Sequence, residues 1–338
     1  MHFLDPVWGC AYSTGTPIAS EVTLTEDREL QKQIAAVAQT ESATAATPAV
    51  RAFQFFLVPL IIVGVCVLVV AGLTWLVANP RSAKDWLQDV KNGGPGTRPF
   101  ATLKLCEAIR RMDPPDRALT PDVIALFKNP PPPNFNDKIN LKAYLATCLG
   151  HLRDPRASDP LLEAIQAESD LETRIACIEA LGAIKDPRTI LDLLKLLDDK
   201  EDAIRKYAAF NVGAVAEKFE DRSAVVVALR RALDDARADV AWNAALALGY
   251  FLGDASGAGT LTKMLDRKYL AQSIDPRDPN AEKLAARTMI AACNAAAKLG
   301  DENFLPHLRR LTDDKVERDG DVRFIAHKAI GEISNRKK

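Results

Sequence analysis

The chain has 338 residues, 44 basic and 45 acidic side chains and a formal net charge of −1. Signs so evenly interspersed leave no clustered Lys and Arg to neutralise phosphates, which excludes nucleic acid as a principal partner. The six cysteines show no CxxC spacing, and Cys106, Cys148, Cys177 and Cys293 read as small core residues of a reducing compartment.

Residues 1–54 form an N-terminal segment in which TLTEDRELQKQIAAVAQ, from Thr23, predicts a short helix opened by a Thr23–Glu26 capping box. The TESATAATPAV that follows is a linker too poor in apolar residues to offset the cost of ordering. From Phe55 to Ala78 no charge occurs in 24 positions, enough at about 1.5 Å per residue to cross a hydrocarbon core of about 30 Å. Some fifty mostly polar residues precede it, unlike a secretory signal, so an uncleaved transmembrane anchor at 55–78 is expected, with the lipid bilayer as a partner. Near it the amino-terminal side offers Arg51, and the carboxy-terminal side offers Arg81, Lys84, Lys91 and Arg98. The positive-inside rule then predicts a single-pass inner-membrane protein with its N-terminus outside and the large domain in the cytoplasm.

Residues 79–338 are organised by recurrence. DPRASDPLLEAIQAESDLETRIACIEALGAIKDP from Asp154 is echoed from Asp186 and again from Asp221, a period of about 31 to 36 residues. Each unit opens on an Asp suited to an N-cap, with Pro155 and Pro187 at the first helical position. A Leu-rich helix, an acidic turn and an Ala-rich helix follow, and each pair leaves an apolar face that only the next pair covers.

The second helices read TRIACIEALG (173–182), IRKYAAFNVG (204–213) and VAWNAALALG (240–249), and more loosely LKAYLATCLG (141–150) and VRFIAHKAIG (322–331). This pattern resembles HEAT repeats of the short bacterial type also found in phycobilisome lyases. The resemblance implies an all-α fold, an α-solenoid of about six to seven helix pairs over 79–338. It also implies a ladder of polar contacts between repeats from Lys142, Arg174, Arg205 and Arg323, broken at Ala241. Two units are irregular: NPPPPNFND from Asn129 and DRKYLAQSIDPRDPNAE from Asp266 are insertions, and the second helix near 283–300 registers on either Arg287 or Gly300.

No catalytic constellation stands out, and neither a cofactor nor a metal is expected. The four histidines form no HExxH motif, and the His-Glu pairs of the HEAT-like di-iron hydroxylases are absent. Ser256 and Gly257, in GDASGAG, are a minor candidate for an anion at a helix N-terminus. The acidic turns DDKED and DDARAD read as solvated caps. The leading expectation is therefore a non-enzymatic, membrane-anchored scaffold or adaptor for protein partners, including the role of accessory subunit in a membrane complex. The alternative is a lyase-like, ligand-handling HEAT protein. Partner-binding residues are expected at the variable positions of the second helices: Tyr144, Tyr207, Phe210, Trp242, Leu246, Tyr250 and Phe324, with Ile175 and Ile325. They form either an outward apolar stripe or, under tight curvature, ordinary core.

Overall fold

The structure, a computed structural model, describes residues 32, 35–36, 57–78, 81–94, 96–132 and 139–336. The capping box at Thr23 lies outside them, as do Phe55 and Phe56 of the expected span. The chain forms two compact units, the first ending at Pro80 and the second beginning at Arg81.

In the first unit α1 spans Val58–Ala78, 21 residues with no charge. Among the described residues no helix is long and apolar enough to cross a membrane. The described side chains of α1 end at Thr74, and the 17 residues from Val58 to that point rise only about 25 Å. What stands of the expected 55–78 span is thus an uncharged helix with its backbone over 58–78.

The described residues of the second unit are helices and turns without a strand, arranged as seven helix pairs. In order these are α2 (Ala83–Asn92) with α3 (Arg98–Arg110), α4 (Thr120–Lys128) with α5 (Leu141–Leu152), α6 (Ser158–Ala167) with α7 (Leu171–Ile184), and α8 (Ile190–Lys195) with α9 (Asp202–Ala216). The series continues with α10 (Ser223–Ala232) and α11 (Ala238–Leu246), α12 (Ala258–Met264) and α14 (Ala281–Leu299), and α15 (Leu305–Leu311) and α16 (Gly320–Asn335). The insertion at Asp266 is more than a long turn, since it carries its own helix, α13 (Arg267–Ser273). Second helices stack in succession, α3 on α5, α5 on α7, α7 on α9 and α9 on α11.

Local chemistry sets each boundary. Asp154 and Asp186 accept hydrogen bonds from the backbone N–H of Arg156 and Arg188 at 3.0 and 3.1 Å, and Pro155 and Pro187 open a 3₁₀ turn before the α-helix rather than the helix itself. The same Asp cap recurs at Asp254 and Asp301. The register at 283–300 matches neither expectation. Gly300 is the left-handed C-cap of α14 at φ 72°, the place taken by Arg153 after α5 and Lys185 after α7. The motif glycines lie earlier, and at Gly150 the reason is packing: a Cβ there would stand 2.8 Å from Ala180 Cα, so only glycine lets α5 approach α7 this closely.

Buried residues form two clusters. One runs from Ala83 to Leu252, the other from Trp242 to Ile333. Helix α11 and the six-residue π turn after it, Ala247–Leu252, supply side chains to the first, while Trp242 and Ala245 of the same helix belong to the second.

The expectation of free core cysteines holds for the buried Cys177 and Cys293 and is corrected for Cys106 and Cys148. Cys106 and Cys148 are joined by a disulfide with their Cα atoms 5.2 Å apart, and Cys66, Cys177 and Cys293 are free. The two partners are 42 residues apart, but each lies five residues before the C-cap of its helix, Arg111 and Arg153, so stacking α3 on α5 brings them together.

Candidate interaction surface

The polar ladder spaces the repeats. Lys142 on α5 pairs with Glu168, Arg174 on α7 with Asp199 at 2.7 Å, and Arg205 on α9 with both oxygens of Asp235 at 2.8 and 3.1 Å. Each cation reaches the inter-helix turn of the next repeat. Asp199 and Asp235, in the two acidic turns, are therefore pinned between repeats rather than solvated caps. Arg205 holds the Asp235 carboxyl below its ordinary range, against the opposing effect of burial. Ala241 supplies no cation, so the ladder stops there. Arg323 instead donates to the Glu317 carbonyl at 2.8 Å. Beyond the gap a different pair forms, with Arg267 donating to both oxygens of the buried Glu317 at 2.9 and 2.6 Å.

On these second helices the expected residues divide. Trp242 is only 5% exposed; its Nε1 donates to the Tyr269 hydroxyl at 3.3 Å and its ring stands edge-on to Tyr269. It is core, because α13 closes over it. Tyr144, Tyr207, Phe210 and Leu246 are half-buried, as are Ile175 and Ile325. Tyr250 is 42% and Phe324 68% exposed. Phe210 packs edge-on against Phe251, ring centres 5.1 Å apart, and Phe251 in turn against Tyr250 at 5.1 Å. The nine positions therefore do not make one open stripe: Phe210 and Tyr250 meet through Phe251, Trp242 is buried, and Phe324 belongs to the last helix.

Phe251 and Tyr269 lie outside the repeat pattern, past the motif glycine and within the insertion, so spacing gave no sign of them. Polar neighbours of Tyr207 were also missed. Lys206 Nζ lies 5.3 Å over the Tyr207 ring and 3.8 Å from Asp239. Burial, then Glu179 and Asp239, push the Tyr207 hydroxyl up, and burial raises Glu179 against the pull of Lys206.

Both insertions wall cavities. Pro130, Pro131 and Ile139 face Arg98, Pro99 and Thr102 across about 260 Å³. Ser273, Ile274, Asp275 and Asp278 face Trp242 and Asp239 across about 380 Å³. The Ser256 candidate fares worse, since its backbone N–H is taken at 2.9 Å by Asp254, which also binds Arg230. Among the described residues no three His, Cys, Asp or Glu side chains converge on a metal position. His151 is half-buried, and burial followed by Arg110 and Arg153 lowers its affinity for a proton.

A family model described as HEAT repeats matches residues 136–213. The chain is HEAT-like. No curated protein matches it. Among solved structures, the complex of CpcE and CpcF of phycocyanin lyase from Nostoc is similar at 17% identity and a TM-score of 0.48, covering 75% of this chain and 95% of that one. Human deoxyhypusine hydroxylase in complex with glycerol is similar at 18% identity and 0.33, covering 75% and 96%, and an engineered protein at 16% and 0.33, again covering 75% and 96%.

Proposed function

We propose that the protein is a membrane-anchored, non-catalytic adaptor whose HEAT-like solenoid holds protein partners. The observation that carries this reading is the pair of exposed aromatics, Tyr250 in the π turn after α11, which Phe210 reaches through Phe251, and separately Phe324 on α16. Exposed aromatic side chains are the usual anchors of binding energy. The anchor part of this reading rests on the sequence, the uncharged run from Phe55 to Ala78, of which α1 keeps residues 58–78 as helix. A tagged full chain extracted in detergent is expected to capture proteins that a Tyr207→Ala, Tyr250→Ala, Phe324→Ala variant does not. Equal capture by both refutes the adaptor, and a chromophore or metal co-purifying with the wild type turns the reading to the ligand-handling alternative.

Two signals bear on orientation, and they oppose each other. Arg81, Lys84, Lys91 and Arg98 favour the solenoid in the cytoplasm with the N-terminus outside the inner membrane. The Cys106–Cys148 disulfide favours the solenoid on the oxidising side. We propose the first orientation from the charges. Protease added to cells whose inner membrane is exposed but intact is then expected to clip the N-terminal segment and spare the solenoid, and digestion of the solenoid supports the second.

A further inference from the structure

A solenoid's terminal repeats lack a neighbour on one side and stay soluble by presenting polar residues there. The first helix pair departs from that rule. On α3, Phe100 is 54% and Leu103 42% exposed, and half-buried Trp86 of α2 stands edge-on to Phe100 with ring centres 5.9 Å apart. Cations continue the row: the Arg81 guanidinium sits 4.1 Å over the Trp86 ring and Lys104 Nζ 5.8 Å over Phe100. The charge is lopsided as well. Residues 81–111 hold seven basic side chains (Arg81, Lys84, Lys91, Arg98, Lys104, Arg110, Arg111) against three acidic ones (Asp85, Asp89, Glu107), a net +4 in a chain whose total is −1.

We propose that this face rests on the anionic interfacial layer of a lipid bilayer. The inference depends on α1 being an anchor, and the chain then limits where the face lies. Four residues separate Ala78 from Ala83 in the sequence, so with α1 as an anchor the first helix pair is the juxtamembrane part of the chain. Aromatic rings with a polar or cationic rim partition to the headgroup level, and juxtamembrane Lys and Arg are drawn to anionic lipid. Both chemistries meet in the Arg81, Trp86, Phe100, Lys104 row.

The test uses the full chain in vesicles of phosphatidylcholine and phosphatidylglycerol in equal parts, with a photoreactive phenylalanine analogue at one position at a time: 100, 68 in α1, or 227, an exposed valine on α10. Lipid adducts are expected at 68 and at 100, the latter several-fold above 227, with the yield at 100 falling at least about threefold in phosphatidylcholine alone. Adducts at 68 with none above the 227 level at 100 overturn the docking face while the anchor stands. No adducts at 68 overturn the anchor and this inference with it. Cross-linking of 100 to a second copy of the chain, or a yield indifferent to phosphatidylglycerol, also overturns it.

Discussion

Replacing Gly150 by Ala, and separately Gly331 by Ala, tests whether the motif glycine is a packing device. Both glycines end the same ten-residue pattern and both lie inside helices, α5 and α16. Inside a helix Gly→Ala gains about 1 kcal/mol from backbone entropy and propensity. At Gly331 nothing lies within 4 Å of the added Cβ, so that gain stands alone. At Gly150 the Cβ would meet Ala180 Cα at 2.8 Å and Ala180 Cβ at 3.1 Å, and the nearest obstacle is backbone, which cannot swing aside as a side-chain tip does. Overpacking of this kind costs up to about 3 kcal/mol, leaving a net loss of about 2 kcal/mol. For a domain of this size that is roughly 4–8 °C in Tm, against a rise of roughly 2–4 °C for Gly331→Ala. Thermal melts of the full chain in detergent, followed by circular dichroism at the helix band, read both. A Gly150→Ala protein as stable as the wild type would refute the argument.

Trp242→Ala is expected to destabilise by about 3–5 kcal/mol, because a buried ring and its hydrogen bond to Tyr269 are both lost; denaturant titration checks this. Arg205→Ala strips a mostly buried Asp235 of its partner and is expected to cost about 1–3 kcal/mol. Arg231→Ala, whose pair with Asp198 is exposed on both sides, should cost less than about 1 kcal/mol in the same titration. Burial alone would raise the Asp154 carboxyl, but hydrogen bonds from the side chain and backbone of Arg156, with its charge, hold it down at about 2. Its folded pKa being depressed, Asp154 contributes stability that is full above the unfolded value of about 3.9 and is lost as pH falls toward 2. Melts of Asp154→Asn are accordingly expected to be flatter between pH 4 and 2 than those of the wild type, and parallel curves would count against the assignment.

What sequence made legible was whatever depended on short range or on the repeat. The Asp154 and Asp186 caps involve residues two positions away, and the Lys142, Arg174 and Arg205 ladder repeats with the helices, so its gap at Ala241 was visible as a missing cation. Trp242 was harder. Its position in the pattern points outward, and only the insertion helix α13, with no counterpart in other repeats, buries it. Cys106 and Cys148 escaped because spacing was read along the chain, whereas what pairs them is equal distance from two helix ends. Phe251 lies past the last patterned residue and reaches Phe210 only through the π turn at Ala247–Leu252.

That π turn, the missing cation at Ala241 and the seam between the two apolar clusters all fall in one helix pair. A beam thinned at one section concentrates its bending there. There the ladder cation is absent, and α10 and α11 are tied to the next unit by other means: the exposed Arg230–Asp254 pair at 2.9 Å, the Trp242–Tyr269 hydrogen bond at 3.3 Å and packing. The joint after α11 is thus the one place where the ladder's repeating ion pair is replaced by contacts particular to a single repeat, and strain along the described solenoid meets a different set of bonds there.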